Sequence, residues 1–222
     1  MADRSGARAR TGRPRDTHID AAILDSTTAL LGEVGYKHLT MGEVAARAGT
    51  TKPALYRRWS SQQELVLAAL ARQLGGIEPV DTECTLCDLH ESISLFVDAF
   101  QRLRPNVLAP LLADCAGHDD LRDAFMATLF EPPRQAVRQT LRAAVARGDL
   151  RPDLSLDLAV DLLASLVHYR TLFGHAPLTG TDIEDAVETL LRGIAVDYDA
   201  LLAQSLGQAS PSSAHGLHEA HA

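Results

Sequence analysis

Residues 40–59, TMGEVAARAGTTKPALYRRW, decide how the front of the chain folds. Thr40 and Glu43 have the spacing of a capping box, in which a hydroxyl and a carboxylate satisfy free amides at the start of a helix. Gly49 can adopt the left-handed conformation that ends this helix, and Pro53 is tolerated in the first turn of the next one. The stretch therefore predicts two short helices joined by a sharp turn, which is the order of a helix-turn-helix.

The outer side of the second short helix is predicted to be polar and basic. A helix of this composition suits the major groove of DNA, where its N-terminal end contacts base edges and flanking hydroxyls and cations hold phosphates. Two consecutive helices with a basic face also occur in proteins that never contact DNA, so the pattern alone leaves both readings open. The outward side chains are Thr51, Lys52, Tyr56, Arg57 and Arg58.

Apolar residues recur at helical spacing from Thr17 to about residue 205. No window of alternating β-branched residues is long enough for a strand, which predicts an all-α fold of about nine helices. We expect these helices at 17–34, 40–49, 51–59, 61–75, 89–103, beside Pro105 and Pro110, at 119–147 with a break at Pro132-Pro133, at 156–174 and at 182–204.

Gly75 to Asp81 separates two predicted domains. The first is the head, residues 16–76, in which three helices that include the helix-turn-helix at 39–58 are followed by a fourth helix. The second is an all-helical body, residues 82–206. Residues 1–15 and 207–222 have no periodic apolar pattern and are predicted to be a disordered basic arm and a disordered tail.

The net charge of −8 is unevenly distributed along the chain. Residues 1–60 carry ten Lys/Arg and six Asp/Glu, whereas the remaining residues carry eleven basic and twenty-three acidic side chains. A basic head on an acidic body is the asymmetry expected of a nucleic-acid-binding protein.

The three cysteines are an odd number, with Cys84 and Cys87 close together and Cys115 apart. Three thiols in a chain this long do not make a disulfide framework, which favours a reducing compartment. No apolar run approaches the roughly 18–20 residues that a membrane helix needs. The first residues, MADRSGAR, lack the apolar segment of a secretory signal. We therefore expect a cytoplasmic protein.

The segment from Ala21 to Leu70 closely resembles the N-terminal domain of the TetR family of transcriptional regulators. About fifty residues match in register without a gap, which makes the signal specific. The residues that carry the resemblance are Ile23-Leu24-Asp25, Gly35-Tyr36 before Thr40, Val44-Ala45-Ala46-Arg47-Ala48-Gly49, Leu55-Tyr56-Arg57-Arg58-Trp59 and Glu64-Leu65-Val66.

This resemblance implies that Thr40 and Tyr56 contact phosphates and that Trp59 packs inside the head. The family often has a lysine near the start of the fourth helix as a phosphate contact, and this chain has Gln62 and Gln63 there. The surface implied to face the groove comprises Thr50, Thr51, Lys52, Pro53 and Ala54, beside the basic Arg57.

The arm offers a second way to contact DNA. Gly12-Arg13-Pro14-Arg15 lies directly before the first helix, and a flexible Arg-Pro-Arg can enter a narrow minor groove, where the negative potential is enhanced. We therefore include Arg13 and Arg15 among the expected DNA-binding residues. The alternative is a tail that only improves solubility.

One head makes few base contacts, so specificity favours two heads on a palindromic operator and hence a homodimer. In TetR-like proteins the last two long helices form an intersubunit four-helix bundle, here 156–174 and 182–204. The alternative is that these are ordinary core helices of a monomer. The candidate interface residues are Leu162, Leu166 and Tyr169 on one helix and Leu191, Ile194 and Tyr198 on the other.

The body looks like one recurring variety of TetR effector domain, on the residues Ala113-Asp114, His118-Asp119-Asp120-Leu121, Ala146-Arg147-Gly148-Asp149-Leu150 and His168-Tyr169-Arg170. The resemblance implies a small apolar or amphipathic effector that releases a repressor from double-stranded operator DNA. Side chains of this kind are often plain core instead. The candidate pocket residues are Phe96, Phe100, Leu108, Met126, Phe130 and Phe173.

The sequence also allows three other interpretations. Cys84 and Cys87, with His90 nearby, suggest a thiol- or metal-responsive regulator, although helical geometry would turn His90 about 120° away from Cys84. An enzyme is disfavoured because the chain has no phosphate loop, nucleophile elbow or metal-spaced carboxylate–histidine motif. A DNA-binding protein without an effector remains open. We expect no cofactor, no metal and no catalytic residue.

Overall fold

A computed structural model of the protein describes residues 17–208, with the side chains of Thr17 and Pro105 excepted. The predictions for the arm, including Arg13 and Arg15, and for the tail beyond residue 208 lie outside this range. Within it the fold is all-α, as predicted. The described residues form eleven α-helices rather than about nine, and none of these helices is long and apolar enough to cross a membrane.

The head consists of four helices and one short turn. Thr40, Thr51 and Ser61 each accept a hydrogen bond from the backbone amide three residues ahead and so begin the second, third and fourth helices. The elements are α1 (Thr17–Val34), a 3-10 turn (Tyr36–His38), α2 (Met41–Arg47), α3 (Lys52–Tyr56) and α4 (Gln62–Leu74).

The body contains seven helices. A π-helical turn, Met126–Phe130, lies between the third and fourth of them, and the Pro132-Pro133 pair follows it in the first turn of the next helix, where proline is tolerated. Pro110 lies inside a helix instead of beside one. The helices are α5 (Thr85–Gln101), α6 (Pro105–Cys115), α7 (Asp119–Phe125), α8 (Glu131–Arg147), α9 (Leu156–Phe173), α10 (Gly180–Ile194) and α11 (Tyr198–Gln208).

The predicted last helix, 182–204, is broken at residues 195–197. Ala195 is extended and pairs with Leu150 in an isolated antiparallel bridge. Arg151 donates its amide to the Ile194 carbonyl at 3.0 Å, and Val196 donates to the Asp149 carbonyl at 2.9 Å. These contacts with the turn after α8 replace the helical hydrogen bonds at this point, so α10 and α11 are separate helices.

Head and body share one continuous apolar core. In the head, α1 and α4 pack together and bury Ile23 and Leu65 completely. In the body, α5 packs against α8, α9 and α10 and buries Leu89 and Phe100 completely. The head rests on the body through α4, which contacts α7 and the π-helical turn, and through the 3-10 turn, which contacts α6.

Gly35, between α1 and the 3-10 turn, has φ 73°, and a Cβ there would lie 3.1 Å from the Asn106 amide nitrogen of α6. We predict that Gly35→Ala lowers the free energy of unfolding by about 1–2 kcal/mol, because an L-residue is strained at this φ. Urea denaturation measures the change. Gly207→Ala in α11, where nothing lies within 4 Å of the added methyl, is the control and should be neutral or slightly stabilising. Equal losses in both variants would contradict the conformational explanation.

Candidate nucleic-acid interface

The connection between α2 and α3 has the geometry of a helix-turn-helix. The Thr40 oxygen accepts the Glu43 amide at 3.2 Å, and its hydroxyl donates to the Glu43 carboxylate at 2.7 Å. Gly49 has φ 64° and turns the chain between the helices. Thr51 then caps α3 by accepting the Ala54 amide at 3.3 Å. The Thr40 cap and the Gly49 turn agree with the sequence prediction, whereas the predicted capping box is only half formed, because the Glu43 carboxylate accepts the Thr40 hydroxyl.

The inner face of this unit is apolar. Val44 of α2 and Leu55 of α3 are completely buried, and Trp59, which follows α3, is 6% exposed. Trp59 is therefore a core residue of the head, as predicted. These side chains fix the angle at which α3 leaves the turn.

The outer face of α3 is exposed to solvent. Thr50 and Ala54 are partly exposed, and the Lys52 ammonium lies 5.9 Å from the centre of the Tyr56 ring. This face carries two cations, one phenol and a capping hydroxyl on one short surface. The exposed residues on this face are Thr51, Lys52, Pro53, Tyr56 and Arg57.

Arg58 departs from the prediction, because its side chain points inward. It pairs with Asp20 of α1 and donates to the Ala54 carbonyl at 3.1 Å. Its side chain is only 16% exposed. Arg58 therefore fastens α3 to α1 and is not part of the outward basic face.

A small polar network joins the head to the body beside the 3-10 turn. The buried Tyr36 hydroxyl donates to the Asp114 carboxylate of α6 at 2.5 Å. Gln62 donates to the Tyr36 carbonyl at 3.2 Å, and Gln63 lies 3.5 Å from the same Asp114 oxygen. Burial, together with the adjacent Asp114 carboxylate, raises the pKa of Tyr36, so the phenol remains a donor. In the sequence, Gln62 and Gln63 are notable only for lacking a positive charge.

Two open clefts flank this joint. One, of about 340 Å³, lies between α1, α4 and the start of α6 and is lined partly by Leu31, Leu70 and Arg104. The other, of about 590 Å³, lies between the start of α4 and α7. None of the predicted pocket residues is among the residues that line these two clefts.

An aromatic cluster occupies the middle of the body. Phe96 and Phe100 of α5 have ring centres 4.6 Å apart, and the His168 ring of α9 stacks on Phe130 at 4.3 Å. The Nε2 atom of His168 is buried and has no hydrogen-bond partner. Burial, aided by the positive charge of Arg134, lowers the pKa of His168 to about 4. The imidazole is therefore neutral at physiological pH.

The six predicted pocket residues do not all lie together. Phe96, Phe100 and Leu108 are buried and Phe130 contacts the cluster, whereas Met126 on the same π-helical turn is 37% exposed. Phe173 is 72% exposed and contacts Tyr169 on the outer side of α9, which corrects its assignment to an interior pocket. His168 was not among the predicted pocket residues, although a histidine among the apolar residues of α9 is a visible signal in the sequence.

Some of the predicted dimer contacts are exposed and others are buried within the protomer. Leu162 and Tyr169 of α9 are more than half exposed, and Leu166 is partly exposed. Leu191 and Ile194 of α10 lie in the protomer's own core, so the prediction that they meet a second copy is wrong. Tyr198 is partly buried, with the Arg192 guanidinium 4.4 Å from its ring centre.

The cysteines correct another expectation, since Cys84 and Cys87 form a disulfide while Cys115 is a buried free thiol. The Cα atoms of the pair are 5.3 Å apart because Cys84 caps α5 and Cys87 lies in its first turn. Cys84 has an extended backbone and α5 begins at Thr85, so the helical geometry considered for His90 does not include Cys84. In residues 17–208 no three His, Cys, Asp or Glu side chains are grouped to hold a metal.

Comparison with known families settles the classification. Residues 23–69 match the model of "Bacterial regulatory proteins, tetR family", and residues 79–190, half of the chain, match "Tetracyclin repressor-like, C-terminal domain". The chain belongs to the TetR family. Its similarity to the family therefore extends through the body as well as the head.

Individual TetR relatives are more distant. The "DNA-binding transcriptional repressor TetR" of Mycobacteroides abscessus is 32% identical over 50% of this chain and 60% of its own length. The "HTH-type transcriptional activator FasR" of Mycolicibacterium smegmatis is 32% identical over 43% of this chain and 40% of its own. The crystal structure of the TetR family transcription regulator SCO0332 superimposes with a TM-score of 0.64 and 26% identity, covering 79% of this chain and 98% of that one. The chain thus matches less than two thirds of the length of these two curated relatives.

His168 should make the stability of this TetR family member depend on pH. Unfolded, its imidazole binds a proton below about pH 6.5, whereas the folded one does so only near 4, so stability falls as the pH falls through this interval. From pH 7 to pH 5 we predict that His168→Gln loses about 2 kcal/mol less than the wild type in urea denaturation. His38→Gln, at an exposed position, should retain the wild-type acid sensitivity. An unaltered acid sensitivity in His168→Gln would refute the assignment.

Proposed function

We propose that the chain is a sequence-specific DNA-binding transcriptional regulator, acting in the cytoplasm as a repressor that leaves a palindromic operator when a small molecule binds the body. The observation that carries this proposal is the exposed polar face of α3, held outward by the Gly49 turn and by the Arg58–Asp20 pair in a TetR family chain. A protein of this kind needs no catalytic group, and no reaction is assigned to it.

α3 would enter the major groove with its N-terminal end first. Thr51, Lys52, Pro53 and the partly exposed Thr50 and Ala54 lie at that end. Thr40 and Tyr56 flank them as phosphate contacts, since both carry accessible hydroxyl oxygens and lie on either side of the turn. Arg57 adds a cation to the same face. Arg13 and Arg15 of the arm would follow the backbone into the adjacent minor groove.

A homodimer would present two such heads. α9 carries an exposed apolar stripe, in which large side chains recur every four or seven residues and therefore face the same side. Exposed apolar stripes of this extent mark an interaction surface. A second copy is the proposed occupant because the family forms its intersubunit bundle from this part of the chain. The stripe comprises Leu158, Leu162, Tyr169 and Phe173, with Leu166 partly exposed beside it.

The proposed effector site is the aromatic cluster of the body. It combines buried rings with one unpartnered polar atom, the Nε2 of His168, which is the composition of a site for an amphipathic molecule with a single polar group. Leu108 of α6 is buried in the same apolar core, and the exposed Met126 marks the side from which a ligand would enter. α6 also carries Asp114, so a ligand that displaces α6 would move the joint with the head.

The choice of repression rests on the relative that matches more of the chain, which is a repressor, while FasR is an activator. Selection of bound fragments from genomic DNA, followed by a reporter assay on the selected sites, tests the proposal. Repression of the reporter is the expected result. Failure to prefer any duplex over random competitor at low ionic strength would overturn the DNA-binding function itself.

Lys52 provides the sharpest test of the proposed interface. We predict that Lys52→Ala weakens operator binding by about 5- to 100-fold, as expected for one lost groove contact, and reduces discrimination between operator and mutated sites. Fluorescence anisotropy at fixed salt measures both effects. Arg142→Ala, which removes the same charge from an exposed position on α8, is the matched control. Equal losses in the two variants would show that only net charge matters.

The dimer has its own test at Leu162. We predict that Leu162→Asp converts the protein to a monomer at micromolar concentration, because two unpaired carboxylates would be buried across the two-fold axis. Sedimentation velocity measures the assembly state, and circular dichroism checks that the helices remain. Leu206→Asp, an exposed leucine of α11, should leave the dimer intact. A wild-type protein that sediments as a monomer would refute this interface.

A further inference from the structure

The first turn of α5 contains two sulfur atoms in different environments. Cys84, the cap residue, is completely buried, and its Sγ accepts the Cys87 amide at 3.3 Å. Cys87 is partly exposed, and its Sγ lies 3.8 Å from the Ser205 hydroxyl of α11. The disulfide between them closes a loop of two intervening residues. One cysteine of the pair is thus partly exposed and the other is completely buried.

We propose that Cys84–Cys87 is a thiol–disulfide exchange site, at which a low-molecular-weight thiol reacts with the Sγ of Cys87 and thereby loosens α11. A disulfide in a reducing compartment is usually transient or redox-sensing rather than structural. The chain also lacks any second disulfide among its described residues, so this bond does not belong to a stabilising framework.

Two molecules of the small thiol reduce the disulfide completely in two exchange steps. The thiolate of the first attacks the Cys87 Sγ, forming a mixed disulfide and releasing the electron pair of the old bond onto the Cys84 Sγ. The leaving thiolate is stabilised at the N-terminus of α5, where the Cys87 amide already points at it. A second thiolate attacks the outer sulfur of the mixed disulfide and frees Cys87. The products are two protein thiols and one small-molecule disulfide.

The turn that contains the pair is held by contacts that do not involve sulfur. The buried Asp88 accepts hydrogen bonds from the Thr82 amide at 2.8 Å and from the Thr82 hydroxyl at 2.6 Å. Thr85 donates to the Asp149 carboxylate at 2.6 Å, and Arg147 donates to the Thr85 oxygen at 2.9 Å. These contacts keep Cys84 and Cys87 adjacent after reduction, so the bond can form again.

The disulfide also fixes the surface on which α11 docks. Gln204 of α11 donates to the Glu83 carbonyl at 2.8 Å, and Ser205 faces Cys87. Glu83 has φ 65°, a conformation that non-glycine residues rarely adopt, and it directly precedes the crosslinked Cys84. Reduction allows this residue to relax, which weakens the Gln204 contact. The expected consequence is a less firmly held α11.

The test uses the full chain with Cys115→Ser, so that the pair alone can react, and needs no DNA. The protein is equilibrated in glutathione buffers of graded oxidised-to-reduced ratio, trapped with N-ethylmaleimide and weighed by mass spectrometry. We expect no label in oxidising buffer, two labels in reducing buffer and a glutathione adduct mapped to Cys87 between them. Two labels in every buffer, or none in every buffer, would overturn the proposal.

Hydrogen exchange of the amides in α11 tests the structural consequence in the same samples. Exchange over residues 198–208 should be faster in the reduced form, whereas exchange in α1 should not change. The Cys84→Ser, Cys87→Ser, Cys115→Ser variant is the matched control and should show fast exchange in both buffers. Equal protection of α11 in the oxidised and reduced protein would show that the pair does not act on it. Neither outcome depends on whether the protein binds an operator.

Discussion

The hydrogen bond from Tyr36 to Asp114 is the contact on which the relation between head and body depends. Apolar surfaces hold the two parts together but allow small displacements, whereas a buried hydrogen bond to a carboxylate fixes direction and distance. The same Asp114 oxygen lies 3.5 Å from Gln63 at the start of α4. One carboxylate of α6 therefore holds the segments before and after the helix-turn-helix, so a movement of α6 acts on both at once.

α6 connects this joint to the rest of the body. It packs against α9, whose inner side carries His168 and whose outer side carries the exposed stripe around Leu162. Arg138 of α8 donates to Asp157 of α9 at 2.8 Å, and Arg134 pairs with Asp161 one turn later. These pairs keep α8 and α9 in register with each other. The joint with the head lies on α6, and both the proposed effector site and the proposed contact with a second copy involve α9. Because α6 packs against α9, these sites are connected by the contiguous packing that coupling between sites requires.

Sequence predicted the helix-turn-helix closely because its signals are local. Thr40, Gly49 and Thr51 act on backbone groups within three or four residues, so their effects can be read without knowing the fold. The break between α10 and α11 depends instead on the turn at 149–151, which is distant in sequence. Likewise, Leu162 and Leu191 each belong to a stripe of apolar residues at helical spacing. Only the packing of the helices shows that Leu162 is exposed and Leu191 is buried. Periodicity identifies an apolar face but not the surface that covers it.

The proposed thiol exchange and the contact with the head lie at opposite ends of α5. Reduction of the disulfide is therefore expected to leave the position of the head unchanged. The helix has 17 residues, which corresponds to about 25 Å. Its N-terminal turn carries the disulfide, and the Arg102 carbonyl just beyond its C-terminus accepts a hydrogen bond from Gln73 of α4 at 2.8 Å. Between them, side chains such as Leu89, Ile93 and Phe100 are buried among neighbouring helices, and close packing resists any shift along the axis. Opening the crosslink therefore changes the exposed turn and α11, while the C-terminal end near the head stays fixed by its own core.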